Sequence, residues 1–536
     1  RLSSLPLTVN GKLDKRALPA PDYGDVERYR APVTPTEEIL AGIYAQVLGV
    51  ERVGVDEAFF ELGGDSISAI QVVARARLAG LVCRPRDIFV EQTVARLAAV
   101  VRVPTGSAGP VDEGVASVVS TPIMRWLAGV EGPVEQFNQT MVLRAPVGVS
   151  EADVVVVLQA VLDRHAMLRS RLDEDGDGEW SLTVPQAGSV EARGCLESVD
   201  ALCDAALVAA RSRLDPAAGV MVRALWVADT GQLALIIHHL AVDGVSWRIL
   251  LEDLNIGWAP HHRGQPVALP EGGTSFGRWA ALLVEHAHDL AVVEQAQAWR
   301  QVAATPAALP AIHPDVDTFA AAGHLSVQLD VETTRMLLGE VPGAFHAGIQ
   351  DILLIAFGLA WTQFVGTGSA PLGIDVEGHG RHEELAPEVD LSRTVGWFTT
   401  KYPVSLTVGG LDWAQVIAGQ PGLGALVKNG KEQLRAVPDP LTYGLLRYLN
   451  PEVDLTGPDP AIGLNYLGRL GAAAEGLSDL WRVSQDGLSV AGVAARIPMP
   501  LAHTLDLNIG TVDTESGCLF YTTPSPPAGE GTLFPA

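Results

Sequence analysis

Leu233-Ala-Leu-Ile-Ile-His-His-Leu-Ala-Val-Asp-Gly-Val-Ser-Trp247 is the stretch that decides the fold of most of this 536-residue chain. It begins as an apolar run typical of a strand, delivers two histidines and turns at Asp-Gly into a helical pattern. Because neighbouring strand residues face opposite sides, we expect one of His238 and His239 to face a cleft and the other to be held in the structure. Adjacent histidines chelate poorly and no H-E-x-x-H accompanies them, so no metal site is predicted. For the dipeptide alone, two satisfied core histidines are the alternative.

Outward from this stretch, strand-like and helical runs alternate from residue 116 onward. The strand-like runs are 139–144, 220–227, 233–238, 325–329, 372–376, 403–408 and 504–512, and the helical runs are 151–165, 201–213, 246–254, 276–285 and 349–365. The mixture predicts an α/β body of about 420 residues, which is large for one core. We therefore expect two lobes, an N-lobe at about 116–290 and a C-lobe at about 291–536.

Three further motifs follow in the expected C-lobe: Glu377-Gly-His-Gly-Arg381, Arg393-Thr-Val-Gly-Trp-Phe-Thr-Thr-Lys-Tyr-Pro403 and Gly463-Leu-Asn-Tyr-Leu-Gly468. Taken singly, each has an ordinary alternative: an exposed acidic turn, an aromatic core strand and a turn. The glycines at 378 and 380 are expected to let the backbone approach a ligand closely.

The front of the chain has a different texture. Helical stretches are predicted at about 34–48, 66–79 and 93–101, and the Pro-, Gly- and Ser-rich segment 103–115 is predicted to be a linker. Between the first two stretches lies Phe59-Phe-Glu-Leu-Gly-Gly-Asp-Ser-Ile67, which places the Ser66 hydroxyl at a helix start, where an incoming phosphate ester is favoured. An ordinary N-cap serine is the alternative. A hydrolase nucleophile is disfavoured because Ser68 replaces the second glycine of G-x-S-x-G.

This block resembles the peptidyl-carrier (thiolation) domain of nonribosomal peptide synthetases over residues 32–102. The resemblance implies a small all-α four-helix bundle whose Ser66 carries a 4′-phosphopantetheine arm, with Ile67 and Ile70 beside the arm facing partner domains or, alternatively, in the core. Pro6-Leu-Thr-Val-Asn-Gly-Lys-Leu-Asp-Lys15 resembles the last motif of an adenylation domain, and Lys12 aligns with its catalytic lysine. Residues 1–31 are accordingly interpreted as a remnant without activity.

Residues 116–536 resemble the epimerisation domains of the same synthetases, which have a two-lobed, chloramphenicol-acetyltransferase-like fold. The match includes the histidine motif, the three later motifs and the opening Ser120-Thr-Pro-Ile-Met-Arg-Trp126. The resemblance implies that His239 and Glu377 are the catalytic pair facing each other across the interlobe cleft. The residues implied to support them are His238, Asp243 (which holds the loop), Arg381, Asn465 and Tyr466; for the last two a packed turn is the alternative.

Reversible inversion of an α-carbon from L to D explains why a histidine and a glutamate would be needed. One group removes the proton from one face, and another returns a proton to the other face. The thioester delocalises the resulting charge, and its oxygen needs hydrogen-bond donors. Burial would raise the pKa of the glutamate towards neutrality. Which of His239 and Glu377 removes the L-proton is left open, as is whether the substrate is aminoacyl or peptidyl.

Two alternatives to epimerisation are a condensation domain, which joins two carrier-bound substrates, and a catalytically silent domain that recruits a partner. The chain departs from the epimerisation family at Val437-Pro-Asp-Pro-Leu-Thr-Tyr-Gly-Leu-Leu446, which lacks a glycine run, so one wall of the site is expected to differ. The end of the chain lacks the amphipathic closing helix of the family.

Composition narrows the partners. A formal charge of -26 disfavours nucleic acid, and four cysteines without a C-x-x-C pair fit a reducing cytoplasm. The apolar runs are too short to span a bilayer, so no membrane is expected. The resemblance implies three partners: an upstream adenylation domain, a downstream D-specific condensation domain and a phosphopantetheinyl transferase.

Overall fold

The computed structural model describes residues 29–102, 114–270, 273–366, 368, 370–470, 479–484, 496–514 and 517–525. The predicted adenylation remnant up to residue 28, with Lys12, and the linker from 103 to 113 lie outside the described residues. The helices are α1 (Pro35–Leu48), α2 (Ser66–Leu78), α3 (Pro85–Glu91), α4 (Val94–Val100), α5 (Pro122–Ala128), α6 (Glu151–Arg164), α7 (Ala192–Cys195), α8 (Asp204–Arg211), α9 (Gly244–His261), α10 (Phe276–His286), α11 (Leu290–Val293), α12 (Ala296–Ala303), α13 (Val331–Arg335), α14 (Val341–Phe345), α15 (Ile349–Val365), α16 (Trp413–Ile417), α17 (Pro421–Arg435) and α18 (Pro440–Gly444). The strands are β1 (Ser117–Val119), β2 (Asn138–Arg144), β3 (Arg171–Glu174), β4 (Trp180–Thr183), β5 (Leu196–Ser198), β6 (Val222–Val227), β7 (Gln232–His238), β8 (Val327–Gln328), β9 (Leu372–Gly378), β10 (Thr400–Leu406), β11 (Ile462–Leu470), β12 (Arg482–Val483), β13 (Leu505–Thr514) and β14 (Gly517–Ser525).

Helices α1 to α4 enclose a hydrophobic cluster of their own. α1 begins at a capping box, in which the Thr34 hydroxyl accepts from the Glu37 N–H and the Glu37 carboxylate accepts from the Thr34 N–H. Of these four helices, α3 is the one that no predicted helical stretch covers; Ile88 is its one buried residue, so it has no apolar stripe at helical spacing.

A five-stranded sheet in the order β12-β2-β7-β6-β5 places the histidine motif. β7 lies near its centre, between β2 and β6, and the side chains from Leu233 to Ile237 are buried because both faces of the sheet are covered. The strand ends at His238, and α9 follows an Asp243 N-cap. β12, from residues 482–483, pairs with β2 and so joins a sheet built otherwise from residues 138–238.

A six-stranded mixed sheet in the order β10-β9-β11-β13-β14-β8 carries the later motifs. β9 pairs in parallel with β11 and antiparallel with β10, and β11 pairs in parallel with β13. One face is apolar, with Ile374, Val376 and Leu464 buried beneath α15 and α17. Alternation along β9 puts Asp375 and Glu377 together on the opposite face.

The hydrophobic core of the larger body includes residues from both halves of its sequence. Its buried cluster combines β7 and α9 with Val389, Trp397, Phe398 and residues of α18. It also includes Ile70 of α2, and Ile67 packs against it. Both isoleucines therefore contact the larger body, and the alternative that they belong to the core of the small helical unit is wrong.

The segment that departs from the family is helical. Asp439 caps α18, and a single π-helical turn, Leu445–Leu449, continues it. Residues 517–525 form β14, and residues 526–536 of the expected closing region lie outside the described residues. Within the described residues no single helix is long and apolar enough to cross a membrane, although the bent pair Val331–Phe345 and Ile349–Val365 meets both criteria when taken together.

Candidate functional site

His238 is held on both ring nitrogens. Its Nε2 donates to the carbonyl of Val134 at 2.8 Å, and its Nδ1 accepts from the N–H of Leu240 at 3.2 Å. The side chain is buried, and burial lowers its pKa to about 4. This neutral imidazole has no lone pair left for a substrate, so its role is to hold the turn after β7.

His239 differs from His238 because its Nε2 contacts a side chain, Gln139, rather than the backbone. Its Nε2 lies 2.8 Å from Gln139 Nε2, and the Gln139 Oε1 accepts from the Trp247 indole N–H at 2.7 Å. An indole N–H can only donate, so the oxygen of the Gln139 amide is fixed towards Trp247. The amide nitrogen must then donate to His239 Nε2, which carries the lone pair, while Nδ1 carries the proton of the neutral ring.

Aromatic rings surround His239. The Phe137 ring stacks on it with centroids 5.1 Å apart, and the Trp397 ring lies 4.4 Å away. Burial lowers the pKa of His239 to about 4, which outweighs the opposing effects of nearby carbonyls and of the Asp243 carboxylate. At neutral pH the ring is therefore an uncharged base whose lone pair is on Nε2, where it accepts from the Gln139 amide.

An ion pair between Asp243 and Arg381 joins the loop after β7 to the loop after β9. The Arg381 guanidinium lies 3.2 Å from the Asp243 carboxylate, and both side chains are buried. The same carboxylate accepts from the N–H groups of Ser246 and Phe398. His239 precedes Asp243 by four residues, and Glu377 precedes Arg381 by four, so the ion pair brings both to one junction.

Glu377 is half-buried on the polar face of the mixed sheet. In the strand register it lies between Lys401 of β10 and Asn465 of β11. No described residue hydrogen-bonds to its carboxylate, and burial raises the pKa of Glu377 to about 7. Trp397 contacts His239, and Lys401 is paired with Glu377. Trp397 precedes Lys401 by four residues, so their Cα atoms are at most about 14 Å apart. Glu377 and His239 can thus flank a substrate-sized space.

The charged side chains next to Glu377 are all in ion pairs with one another. Lys401 Nζ lies 2.7 Å from Asp375 and 2.5 Å from Asp459, and the two ring nitrogens of His503 contact Asp375 at 2.9 Å and Asp506 at 2.5 Å. Burial alone would lower the pKa of His503, but the two carboxylates raise it to about 10. His503 is therefore an imidazolium, and the row is made of ion pairs rather than of free acids or bases.

The glycines at 378 and 380 let the chain pack closely against itself. A Cβ on Gly378 would lie 2.8 Å from Thr400 Oγ1, and one on Gly380, whose φ is +66°, would lie 1.6 Å from the carbonyl oxygen of Phe398. These glycines let the strand that follows Trp397 pass against β9. That their backbone also approaches a ligand stays a prediction.

Asn465 and Tyr466 point to opposite sides of β11, as neighbours in a strand do. Asn465 is adjacent to Glu377 on the polar face, and no described residue hydrogen-bonds to its side chain. The Tyr466 hydroxyl donates to Asp65 at 3.3 Å. Both residues lie in β11, just before its register with β13 shifts between Tyr466 and Arg469, so the alternative of a packed turn is wrong. Asn465 is the one of the two that lies beside Glu377.

Ser66 is the first residue of α2, directly after the N-cap Asp65. The preceding turn uses Gly63 at a φ of +88°, which suits glycine. The half-buried Ser66 hydroxyl makes no hydrogen bond to any described residue, and the Asp65 carboxylate next to it accepts from the Ser68 N–H. A partly exposed, unpaired hydroxyl at a helix N-terminus fits the attachment of a phosphodiester arm.

The helical unit docks on the mixed sheet beside β11, and charged side chains hold it there. Arg77 of α2 pairs with Glu383 at 2.8 Å and with Asp390. On the other side, Arg469 of β11 donates to the carbonyl of Leu48 at 2.6 Å. A Cβ on Gly468 would lie only 2.9 Å from Ile67, so the unit is in close contact with this strand next to Ser66.

Five residues with a role in the site or in docking were not predicted as site residues: Gln139, Trp247, Lys401, His503 and Arg77. Gln139 and Arg77 have no local signal, since their partners are 100 and 306 residues away along the chain. Trp247 and Lys401 lie within motifs that sequence analysis had singled out, so their positions, although not their roles, were marked.

Comparison with known proteins follows the same division of the chain. Residues 124–455 match the family model described as the condensation domain, and residues 38–101 match that of the phosphopantetheine attachment site. Chondramide synthase of Chondromyces crocatus is 38% identical over 88% of this chain and 12% of its own length. One component of the linear gramicidin synthase of Brevibacillus parabrevis is 37% identical over 90% of this chain and 6% of its own length. The chain therefore spans a small part of these relatives.

Among solved structures, the epimerization domain from the third module of tyrocidine synthetase B has a TM-score of 0.67 at 28% identity, over 78% of this chain and 93% of that one. The fold is thus the chloramphenicol-acetyltransferase-like fold expected for the larger body. The chain belongs to the condensation-domain family, and the phosphopantetheine attachment domain in front of that domain gives it a covalently bound 4′-phosphopantetheine as cofactor.

Proposed function

We propose that the chain is the carrier and epimerisation segment of a nonribosomal peptide synthetase. In this proposal residues 32–102 are the carrier, Ser66 holds the arm, and residues 116–536 invert the α-carbon of an aminoacyl or peptidyl thioester. An adenylation domain upstream, a D-specific condensation domain downstream and a phosphopantetheinyl transferase are the proposed partners. The 28% identity to a tyrocidine synthetase epimerization domain supports this assignment over condensation.

The observation that carries the proposal is the opposite shift of the pKa values of His239 and Glu377. A pKa of about 4 makes His239 a neutral base near pH 6, and a pKa of about 7 keeps a proton on Glu377 at the same pH. One group can therefore accept a proton while the other donates one. The ion pair between Asp243 and Arg381 joins the chain just after His239 to the chain just after Glu377.

When bound, the arm presents the substrate as a thioester, which makes its α-hydrogen more acidic. His239 Nε2 takes the proton from one face of the α-carbon, and the C–H electron pair moves towards the thioester oxygen. Glu377 returns its own proton to the other face, so the pair ends with the proton on the imidazole. The reverse reaction exchanges the two roles. The Asn465 amide is the proposed donor to the thioester oxygen.

The proposal is tested by loading the chain with an L-aminoacyl group and incubating it in deuterated water. We expect a mixture of L and D products with deuterium at the α-carbon, measured by mass spectrometry and chiral chromatography after hydrolysis. Ser66→Ala should abolish loading, whereas His239→Ala and Glu377→Gln should load normally and lose inversion. Inversion without solvent deuterium would contradict the two-base scheme.

Condensation is the second candidate, because the family model that matches most of the chain is named for it. A condensation domain would transfer the acyl group to the amine on a second loaded carrier, with no label at the α-carbon. Adding an aminoacyl-loaded acceptor carrier to the same reaction distinguishes the two, since peptide formation without exchange would support condensation.

A further inference from the structure

Two asparagines lie in one row with Glu377 across the mixed sheet. In the strand register Asn465 of β11 is the neighbour of Glu377 of β9, and Asn508 of β13 is the neighbour of Asn465. Adjacent strands are about 4.8 Å apart, so the row places one side chain on each of three parallel strands at that spacing. The sequence motifs marked Asn465 and left Asn508 unmarked.

Asn508 faces the polar side of the sheet. Its neighbours along β13, Leu507 and Ile509, pack into the apolar cluster beneath α15 and α17. Successive residues of a strand face opposite sides, so Asn508 faces the side that carries Glu377. The Asn508 side chain is half-buried, and no described residue hydrogen-bonds to it or to the Asn465 side chain. Two amides on this face are therefore available to a ligand.

The chemistry of the row points to a ligand that contains amides. A half-buried amide without a hydrogen bond is costly, so a ligand that completes its bonds is favoured. An asparagine amide both donates and accepts, which matches a group that has an N–H and a C=O. The cations beside the row, Lys401 and His503, are already bound to carboxylates and offer no free charge to an ionic ligand. The 4′-phosphopantetheine cofactor has two amides between its phosphate and its sulfur.

The carrier brings its attachment point to the edge of the sheet near this row. A Cβ on Gly468 of β11 would lie 2.9 Å from Ile67 and 3.1 Å from Asp65, the two residues that flank Ser66. Because β11 is parallel to both β9 and β13, the carboxyl ends of all three strands share this edge. Asn465 precedes Gly468 by three residues, about 10 Å along the strand. An arm on Ser66 thus starts close to the row.

The chain before Ser66 shows from which side the arm enters. A Cβ on Gly339 would lie 3.0 Å from the carbonyl oxygen of Glu61, so this part of the carrier contacts the segment that follows α13. α13 packs against β14, and the strand order is β9-β11-β13-β14. An arm that enters from the β14 side passes β13 before it reaches β11 and β9.

We propose that Asn508 binds the terminal amide of the 4′-phosphopantetheine arm and so sets how far the thioester advances along the row. In pantetheine two methylenes and the sulfur separate that amide nitrogen from the thioester carbon, a span close to the strand spacing of about 4.8 Å. With the amide at Asn508, the thioester oxygen lies at Asn465 and the α-carbon lies at Glu377. This inference rests on the proposed epimerisation and deepens it, since Asn508 binds the cofactor and transfers no proton.

A binding test independent of turnover compares the apo chain with the chain that carries the unacylated arm on Ser66. The asparagine side chains are labelled with ¹⁵N and assigned through Asn508→Leu and Asn465→Leu. We expect the Asn508 N–H signals to shift when the arm is attached, and to stay at their apo positions when two methylenes replace the terminal amide of the arm. Asn429, which is exposed on α17, is the internal control and should not shift.

Two NMR results would overturn the inference. One is an Asn508 signal that does not change when the arm is attached. The other is a shift that occurs only after an aminoacyl group has been loaded, because the ligand of Asn508 would then be the substrate rather than the arm.

The rate of inversion measures the consequence of this contact. Asn508→Leu keeps the size of the side chain and removes both hydrogen-bonding atoms, so formation of the D product should slow about fivefold, the factor of one neutral hydrogen bond. The arm without its terminal amide should slow the wild-type chain by a similar factor and should slow Asn508→Leu no further, because both changes remove the same contact. Asn429→Leu is the matched control and should leave inversion unchanged.

Slowing that multiplies when the two changes are combined would overturn the contact between Asn508 and the arm. The altered arm needs no substitution in the chain, so the test stands even where Asn508→Leu folds poorly. If the contact is overturned while the wild-type chain still inverts its substrate, epimerisation stands. A wild-type chain that loads but inverts nothing would overturn epimerisation, and the NMR comparison would still decide whether Asn508 binds the arm.

Discussion

Asp375 and Glu377 lie two residues apart on the same face of β9 and have opposite pKa shifts. Burial alone would raise both values. Asp375 contacts Lys401 at 2.7 Å and His503 at 2.9 Å, and these cations lower its pKa to about 2. Glu377 has no hydrogen-bonded partner among the described residues, and its pKa rises to about 7. The comparison teaches that the partner, rather than depth, decides whether a carboxylate on this strand is a structural ion or a proton carrier.

The largest expected effect is the loss of activity in Glu377→Gln. The amide keeps the shape of the side chain but has no acidic proton to deliver, so formation of the D product should fall by about 10²- to 10⁴-fold. The urea midpoint should stay within experimental error or rise, since the native carboxylate has no hydrogen-bonded partner among the described residues. Glu285→Gln, an exposed change of the same kind on α10, is the control and should leave inversion intact. An inversion rate close to that of the wild type would remove Glu377 from the reaction.

Asp375→Asn should lower the stability of the protein, in contrast to Glu377→Gln. Removing one charge from the buried line leaves Lys401 and His503 short of a counter-ion, which we expect to cost about 3 to 5 kcal/mol in the free energy of unfolding. Urea unfolding followed by circular dichroism measures it, with Glu377→Gln as the paired variant. If Asp375→Asn unfolds at the wild-type urea concentration, the ion pairs are not what separates the two carboxylates.

The pH dependence of inversion sharpens the comparison further. The reaction needs one proton shared by His239 and Glu377, a state that exists between pKa values of about 4 and about 7. Above pH 7 Glu377 loses its proton and two bases remain without an acid, so the rate should fall about tenfold per pH unit. An N-acetylated aminoacyl group avoids titration of the substrate amine. A rate that keeps rising from about pH 7 to about pH 9 would show that Glu377 does not act as the acid.

The smallest expected effect concerns the amide that contacts His239. Gln139→Leu removes the hydrogen bonds of the amide to His239 and to Trp247. The bond that orients His239 is worth about 1 kcal/mol, so exchange should slow about fivefold. Gln139→Glu should instead raise the pKa of His239, because a carboxylate accepts from the imidazolium. NMR of ¹⁵N-labelled histidine measures both the pKa and the tautomer. Finding the proton on Nε2 of His239 in the wild-type chain at neutral pH would contradict the geometry of Gln139 and Trp247.

Local pattern was enough to place most of the elements. The apolar run at 233–238, the helix at 349–365 and the helix start at Thr34 agree with the structure to within a residue or two, because each depends on periodicity and capping within one segment. Different environments for His238 and His239 were predicted from alternation along a strand; in the structure β7 ends at His238, and His239 begins a short 3₁₀ helix. The motifs likewise marked Glu377 and Asn465 as candidate site residues, but they did not predict that the two are adjacent.

Contacts between distant segments had no such signal. The roles of Gln139 and of the Lys401 ion pairs depend on partners brought together by strand pairing and by packing between the two sheets. Desolvation and ion pairing are likewise properties of the assembled site, so the opposite behaviour of Asp375 and Glu377 is invisible in Asp-Val-Glu. Short-range order in the chain specifies the strands and helices and marks the reactive side chains, and the packing of those elements sets the proton affinity of each group.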